Sequence, residues 1–196
     1  GEAFRQQHGL VGKFVAMYAG AHGMSNDLGV VLSAAQQLAH RLDIAIVFLG
    51  DGKEKPRLVE QARELGLQNV LFIPPVSKLN MPAALAAADA CIAILKPIEL
   101  YKTTYPNKVF DYMAASRPVV LAIGGVICEV VEGVHAGIPV QPGNPEEMAL
   151  AIQTLANDSQ AARAMGQRGR LYVETHFDRS KLADQLEMLL QQLKNA

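Results

Sequence analysis

The stretch Tyr105-Pro106-Asn107-Lys108-Val109-Phe110-Asp111-Tyr112-Met113-Ala114-Ala115-Ser116-Arg117-Pro118-Val119-Val120 reads as a loop, a short helix and a buried strand in immediate succession. Pro106 fixes its own φ and lacks a donor, which suits the entry to a helix, where the first amides are unpaired and can hold an anion. Lys108 adds a positive charge beside that anion site. Asp111 follows one turn later, on the face that Lys108 and Asn107 also approach. One short helix thus offers phosphate donors, a cation and a carboxylate, the groups that a nucleotide's diphosphate and ribose hydroxyls require.

Outward from this stretch, strand and helix alternate. Residues 14–19 form an apolar run ending in Gly20, and the loop Ala21-His22-Gly23-Met24-Ser25-Asn26 leads to a helix capped by Asn26 or Asp27. Its apolar positions Leu28, Val31, Leu32, Ala35, Leu38 and Leu42 recur at three and four residues. A second strand over 44–49 closes with Gly50-Asp51-Gly52 and feeds a helix over 56–65 ended by Gly66. A third, 70–73, stops at Pro74-Pro75; Asn80 caps the helix that starts near Pro82, and a fourth strand spans 90–95. The connection 96–105 is long and polar, as functional loops often are. Beyond the opening helix come a strand over 119–123, a helix ending at Gly137, and a brief strand over 138–140 in which Pro139 favours a sheet edge. Asn144-Pro145-Glu146-Glu147 is a strong helix start, and helices over 145–156, 159–175 and 180–195 complete the chain.

This pattern predicts an α/β domain over residues 1–196: a Rossmann-like, doubly wound parallel sheet of about six strands with helices on both faces. Ligands of such sheets bind at the carboxyl ends of the strands, where the loops here are rich in Gly, Pro and polar residues.

Composition narrows the function. With 196 residues, half of them hydrophobic, the chain can bury a good core; its net charge of −1 argues against a general polyanion binder such as a nucleic-acid protein. No run reaches the roughly 20 apolar residues that span a bilayer, so a soluble chain is expected, and a cytoplasmic one from its cysteines. The start, Gly1-Glu2-Ala3-Phe4, has no signal core and no initiating Met and reads as a cut through a longer chain. Cys91 and Cys128 lack metal-type spacing and suit reduced core thiols. Gly20-Ala21-His22-Gly23 departs from the Gly-x-Gly-x-x-Gly order of dinucleotide sites, and no phosphate loop, zinc-protease motif or nucleophile turn is present.

The order of several motifs resembles the carboxyl-terminal, donor-binding domain of a GT-B fold glycosyltransferase of glycosyltransferase family 4. They are Tyr18-Ala19-Gly20, Phe48-Leu49-Gly50-Asp51-Gly52, Asn69-Val70-Leu71-Phe72-Ile73-Pro74, Ala88-Asp89-Ala90, the opening stretch, and Val140-Gln141-Pro142-Gly143-Asn144-Pro145-Glu146. The Pro106-Asn107-Lys108 tripeptide is similar to a subgroup handling amino sugars in surface polysaccharide assembly. The resemblance implies retaining transfer of a sugar from a nucleotide-sugar, with UDP carrying an N-acetylated hexosamine, to a lipid-linked or polysaccharide acceptor. It implies no metal or other cofactor, since helix amides and Lys108 can stabilise the departing diphosphate. Its partners are the nucleotide-sugar, the acceptor, and a missing amino-terminal domain against which helix 180–195 packs and which reaches the inner face of the membrane.

In that family a pair of acids eight positions apart precedes Met-Ala-x-x-x-Pro-Val-Val, and the second holds the ribose. Here the second is Asp111, and the first falls on Thr103, a departure that leaves the sugar end open unless Glu99 takes the place. The Arg and Lys usual in the first loop are replaced by His22 and Leu28. The resulting donor-binding set is Gly20, His22, Gly23, Pro74, Thr103, Thr104, Asn107, Lys108 and Asp111; no catalytic residue is assigned. Read alone, Asp111 is equally a solvated helix carboxylate, Lys108 a surface lysine, His22 a plain loop residue, and Thr103 and Thr104 helix caps. A non-catalytic nucleotide- or sugar-binding domain, or an NAD-linked oxidoreductase, are the alternative functions.

Overall fold

The computed structural model describes residues 1–194. Strands β1 (Phe14–Ala19), β2 (Ile44–Leu49), β3 (Val70–Ile73), β4 (Ala90–Ile94), β5 (Val119–Ala122) and β6 (Gly137–Pro139) form one parallel sheet in the order 3-2-1-4-5-6. Most are continuous apolar runs, as strands covered on both faces must be. The helices are α1 (Glu2–Gln7), α2 (Leu28–Gln37), α3 (Lys55–Glu64), α4 (Met81–Ala86), α5 (Asn107–Ala114), α6 (Val126–Val134), α7 (Pro145–Asn157), α8 (Ser159–His176) and α9 (Arg179–Lys194). On one face Tyr18, Phe48 and Ile92 pack with Leu32 of α2, Leu58 of α3 and Ile152 of α7. On the other, Met17, Cys91 and Leu121 pack with Leu85 of α4, Val109 and Met113 of α5 and Val131 of α6.

The order of the sheet reverses between β1 and β4, and there the two strands are in register only at Ala16 with Ala90 and Met17 with Cys91. Ala19, at the far end of β1, has no strand partner on that side. The Tyr112 hydroxyl of α5 fills the gap: it accepts from the Ala19 N–H at 3.0 Å and donates to the Ala19 carbonyl at 2.9 Å, fully buried. One phenol therefore satisfies two backbone groups that would otherwise be buried without partners. At the opposite end of the sheet, Asp89 Oδ2 accepts from the Val15 N–H at 2.8 Å and from Arg5 of α1 at 2.6 Å, fastening the start of the chain beneath β1.

Several expected boundaries move. The helix expected to reach Leu42 ends at Gln37, and Leu42 is 79% exposed, because the chain turns to enter β2 and Arg41 bridges Asp43 instead. Neither Asn26 nor Asp27 caps α2 through its side chain; Asp27 instead takes a left-handed conformation, with φ of 44°. Asn80 likewise makes no side-chain cap to α4. Gly137 does not end α6; His135 does, and Gly137 opens β6, where a Cβ would collide with the Val119 carbonyl oxygen. Asn144 does cap α7, accepting from the Glu147 N–H at 3.0 Å, and Pro139 sits on an edge strand. The last expected position of the final helix, Asn195, lies outside the described residues.

Tyr112→Phe keeps the ring but strands both Ala19 groups. At about 1–3 kcal/mol for each unsatisfied buried group, unfolding in urea should show a loss of about 3 kcal/mol. A loss below about 0.5 kcal/mol would mean that the Ala19 groups find other partners.

Candidate functional site

The loop after β1 and the start of α5 meet where the sheet order reverses, the position at which open α/β sheets bind ligands. Gly20 and the turn after β2 interlock. The Gly20 N–H donates to the Leu49 carbonyl, the His22 N–H to the Asp51 carbonyl at 2.8 Å, and the Glu54 N–H to the His22 carbonyl at 3.0 Å. A Cβ on Gly50 would strike the Gly20 carbonyl, and one on Gly52 the His22 backbone, so both glycines exist for this close approach. Lys55 closes the turn by donating to the Gly50 carbonyl at 2.8 Å. Beside it, a cavity of about 250 Å³ lies between Gly20, Gly50, Asp51, Pro75 and Met81.

His22 is fully buried. Its ring sits among Tyr18, Phe48 and Phe72, with centroids 5.9, 6.1 and 6.4 Å away, and neither ring nitrogen has a hydrogen-bond partner. Burial first, then the nearby Lys55, push its pKa down to about 4, so the imidazole stays neutral at physiological pH.

Lys108 occupies the first turn of α5 and reaches across the crevice to β1. Its Nζ donates to the Tyr18 hydroxyl at 2.8 Å and to Asn26 Oδ1 at 3.3 Å, and lies 4.3 Å from the Tyr18 ring centroid. A Cβ on Gly20 would stand 3.3 Å from that nitrogen, which places the ammonium over Gly20. Among the described residues no ion pair includes Lys108, and burial lowers its pKa to about 8. A cation at a helix start, where the peptide dipoles are also positive, is unfavourable without an anion.

The structure thus brings Lys108 over Gly20 and near His22, with Gly23 next to His22 in the same loop and Asn107, exposed, preceding Lys108 at the start of α5. Asp111 is exposed one turn along α5, as the spacing implied. Pro74 follows β3, two strands from β1, and is exposed. Thr103 and Thr104 end the 99–104 loop, where their hydroxyls donate to the Leu100 and Tyr101 carbonyls at 2.9 and 2.8 Å rather than capping α5. Glu99 is exposed and paired with Lys102 at 2.7 Å. Gly23 needs no special backbone conformation, since its φ is −100°. Tyr18 and Asn26 escaped the sequence reading, Tyr18 because a strand tyrosine looks like core and Asn26 because it looked like a cap. Among the described residues no cluster of three or more His, Cys, Asp or Glu could hold a metal.

A six-stranded parallel sheet in this order, covered on both faces and open at its reversal crevice, is Rossmann-like, and it matches the Rossmann-like half of solved GT-B folds. The family described as "Glycosyl transferases group 1" matches residues 13–158, and the chain belongs to it. HepE of Anabaena, solved in complex with UDP, superposes with a TM-score of 0.86 at 23% identity, over 97% of this chain and 52% of that one. The C-terminal domain of LpcC, a glycosyl transferase group 1 family protein of Francisella tularensis, superposes at 0.74 with 19% identity, over 86% of this chain and 88% of that one. Alpha-D-kanosaminyltransferase of Streptomyces kanamyceticus is 23% identical over 93% of this chain and 46% of its own length. The chain spans less than half the length of the curated relatives it matches.

Because the unfolded chain binds more protons than the native one between pH 6.5 and 4, His22 makes stability rise with pH across that window and fall as pH drops. The loss by pH 4 amounts to about 3 kcal/mol at most. His22→Phe, which suits the aromatic surroundings, should flatten that part of the urea stability profile relative to the parent chain. An NMR titration of the His22 ring near 6.5 would contradict this.

Proposed function

We propose that this chain is the donor-binding half of a retaining glycosyltransferase that takes a sugar, an N-acetylated hexosamine, from a UDP carrier. The observation that carries the reading is the Lys108 ammonium, set over Gly20 at the start of α5 with neutral contacts and, among the described residues, no ion pair. The donor's diphosphate supplies the missing charge, bound by the α5 amides at Asn107 and by Lys108, which also stabilise it as it leaves. Asp111 accepts the ribose hydroxyls, the base lies against the backbone of residues 72–76 beside Pro74, and Thr103 and Thr104 lie at the sugar end. No metal or cofactor is needed for this step. UDP as the carrier accords with the UDP held by HepE, and an amino sugar with the name of the kanosaminyltransferase.

The acceptor, lipid-linked or saccharide, docks on an amino-terminal domain at the cytoplasmic face of the membrane. Helix α9 supports a partner of this kind: Leu182, Leu186, Leu189 and Leu193 recur at spacings of four, three and four, and all are exposed. No helix among the described residues is long and apolar enough to cross a membrane. Thr103, which cannot replace a carboxylate, favours one second reading, a domain that binds the nucleotide-sugar without catalysis.

Calorimetric titration with UDP, GDP, ADP and NAD should give saturable binding of UDP. Lys108→Met and Asp111→Asn should each weaken it about tenfold or more, that is by about 1.4 kcal/mol, with the fold intact. Saturable NAD binding without any nucleoside diphosphate would sink the proposal; an unchanged affinity in both variants would move the donor elsewhere.

A further inference from the structure

An ammonium carries three donors, and at Lys108 two of them are committed: one to the Tyr18 hydroxyl and one to Asn26 Oδ1. Both acceptors are fixed in turn, since the Tyr18 hydroxyl and Asn26 Nδ2 each donate to the Ala21 carbonyl, at 2.8 and 2.9 Å. Tyr18 itself is fully buried on β1. Two neutral groups and one shared carbonyl therefore hold a flexible side chain in a fixed place without cancelling its charge. A carboxylate in either position would hold it equally well and neutralise it.

We propose that Tyr18 and Asn26 are positioning residues, which orient the third N–H of Lys108 over Gly20 and keep its charge available to the donor's diphosphate; this rests on the donor reading above. Neutrality of the acceptors is the essential feature. The chain carries acids close by in sequence, Asp27 next to Asn26 and Asp111 one turn beyond Lys108, yet the residues that touch the ammonium are a phenol and an amide. Gly20 completes the arrangement, because a Cβ there would lie 3.3 Å from Nζ and fill the space a phosphate oxygen needs.

The titratable groups near the Lys108 ammonium are Tyr18 on β1 and His22 in the following loop, with the Tyr112 phenol bonded to Ala19 at the end of the same strand. Burial pushes both phenols well above their ordinary range and the imidazole down to about 4, so neither the phenols nor the imidazole titrates in the window around pH 8, where Lys108 does. The terminal phosphate of UDP is largely ionised above about pH 7, and UDP affinity should fall as pH rises through the Lys108 value.

The test uses the 196-residue chain with 13C-labelled lysine, the Lys108 signal being assigned by its loss in Lys108→Met. The ε-methylene titration is followed by NMR, and UDP affinity by calorimetry, from pH 7 to 9.5. In the parent chain both should break near pH 8. Asn26→Asp supplies a carboxylate of the same shape: the Lys108 titration should move up by a unit or more, and UDP affinity at pH 7.5 should fall at least tenfold. Tyr18→Phe keeps the ring and the burial but removes an acceptor from the ammonium; its titration should move down, with a fall of about fivefold in affinity. A Lys108 titration unmoved in both variants overturns the proposal, whatever their stability. That failure is separable from failure of the donor reading, in which Lys108→Met itself leaves UDP affinity unchanged.

Discussion

The structure depends on the parting of β1 and β4. Parallel strands at the reversal of a doubly wound sheet send their connections to opposite faces, so a crevice opens between them and the strand ends beside it lose ladder partners. At Ala19 that leaves two backbone groups pointing into an apolar interior, and the Tyr112 hydroxyl satisfies both. This bond fixes α5 against the end of β1. Everything that follows at the site is a consequence, because the first turn of α5 is thereby held where Lys108 can cross to Tyr18 and stand over Gly20. Two tyrosines divide the work: Tyr112 places the helix, and Tyr18 places the charge.

The loop after β1 is equally constrained from its other side. Its approach to the turn after β2 is so close that Gly50 and Gly52 leave no room for a side chain, and the His22 backbone is bonded in both directions. The imidazole is then driven inward among three aromatic rings, where it goes unprotonated. A neutral His22 matters to its neighbour. Were it protonated, a second cation would be buried beside Lys108, and Coulomb repulsion in a poorly solvated crevice would displace one of them.

Much of the fold was legible in the sequence because continuous apolar runs, each closed by Gly or Pro and followed by a periodic helix, leave few alternatives to a parallel sheet. The failures were local. Leu42 continued a periodicity that the turn into β2 overrides, and Asn26, Asp27 and Asn80 looked like caps although their side chains do other things or nothing at the helix start. The site was half legible. Lys108 and Gly20 carry their chemistry in residue type and spacing, and the structure brings them together. The two phenols do not, since a tyrosine in a strand or on a helix face reads as core, and their partners lie 90 and 93 positions away. Thr103 and Thr104 carry less of a sign: their hydroxyls donate to carbonyls three residues back and keep their acceptor lone pairs.

A partly buried cation with neutral neighbours is a costly element to keep. Desolvation penalises the charged form, as the lowered Lys108 pKa shows, and the dipole of its own helix adds to the penalty. A methionine of similar length would pack there without either cost. The loop itself is also held by the Tyr18 and Asn26 bonds to Ala21 and by the backbone bonds of His22. What the charge does supply is a fixed positive potential at a helix start, on a half-buried side chain. On the donor reading proposed above, such a potential, a stability cost in the empty site, becomes an affinity gain once the diphosphate arrives.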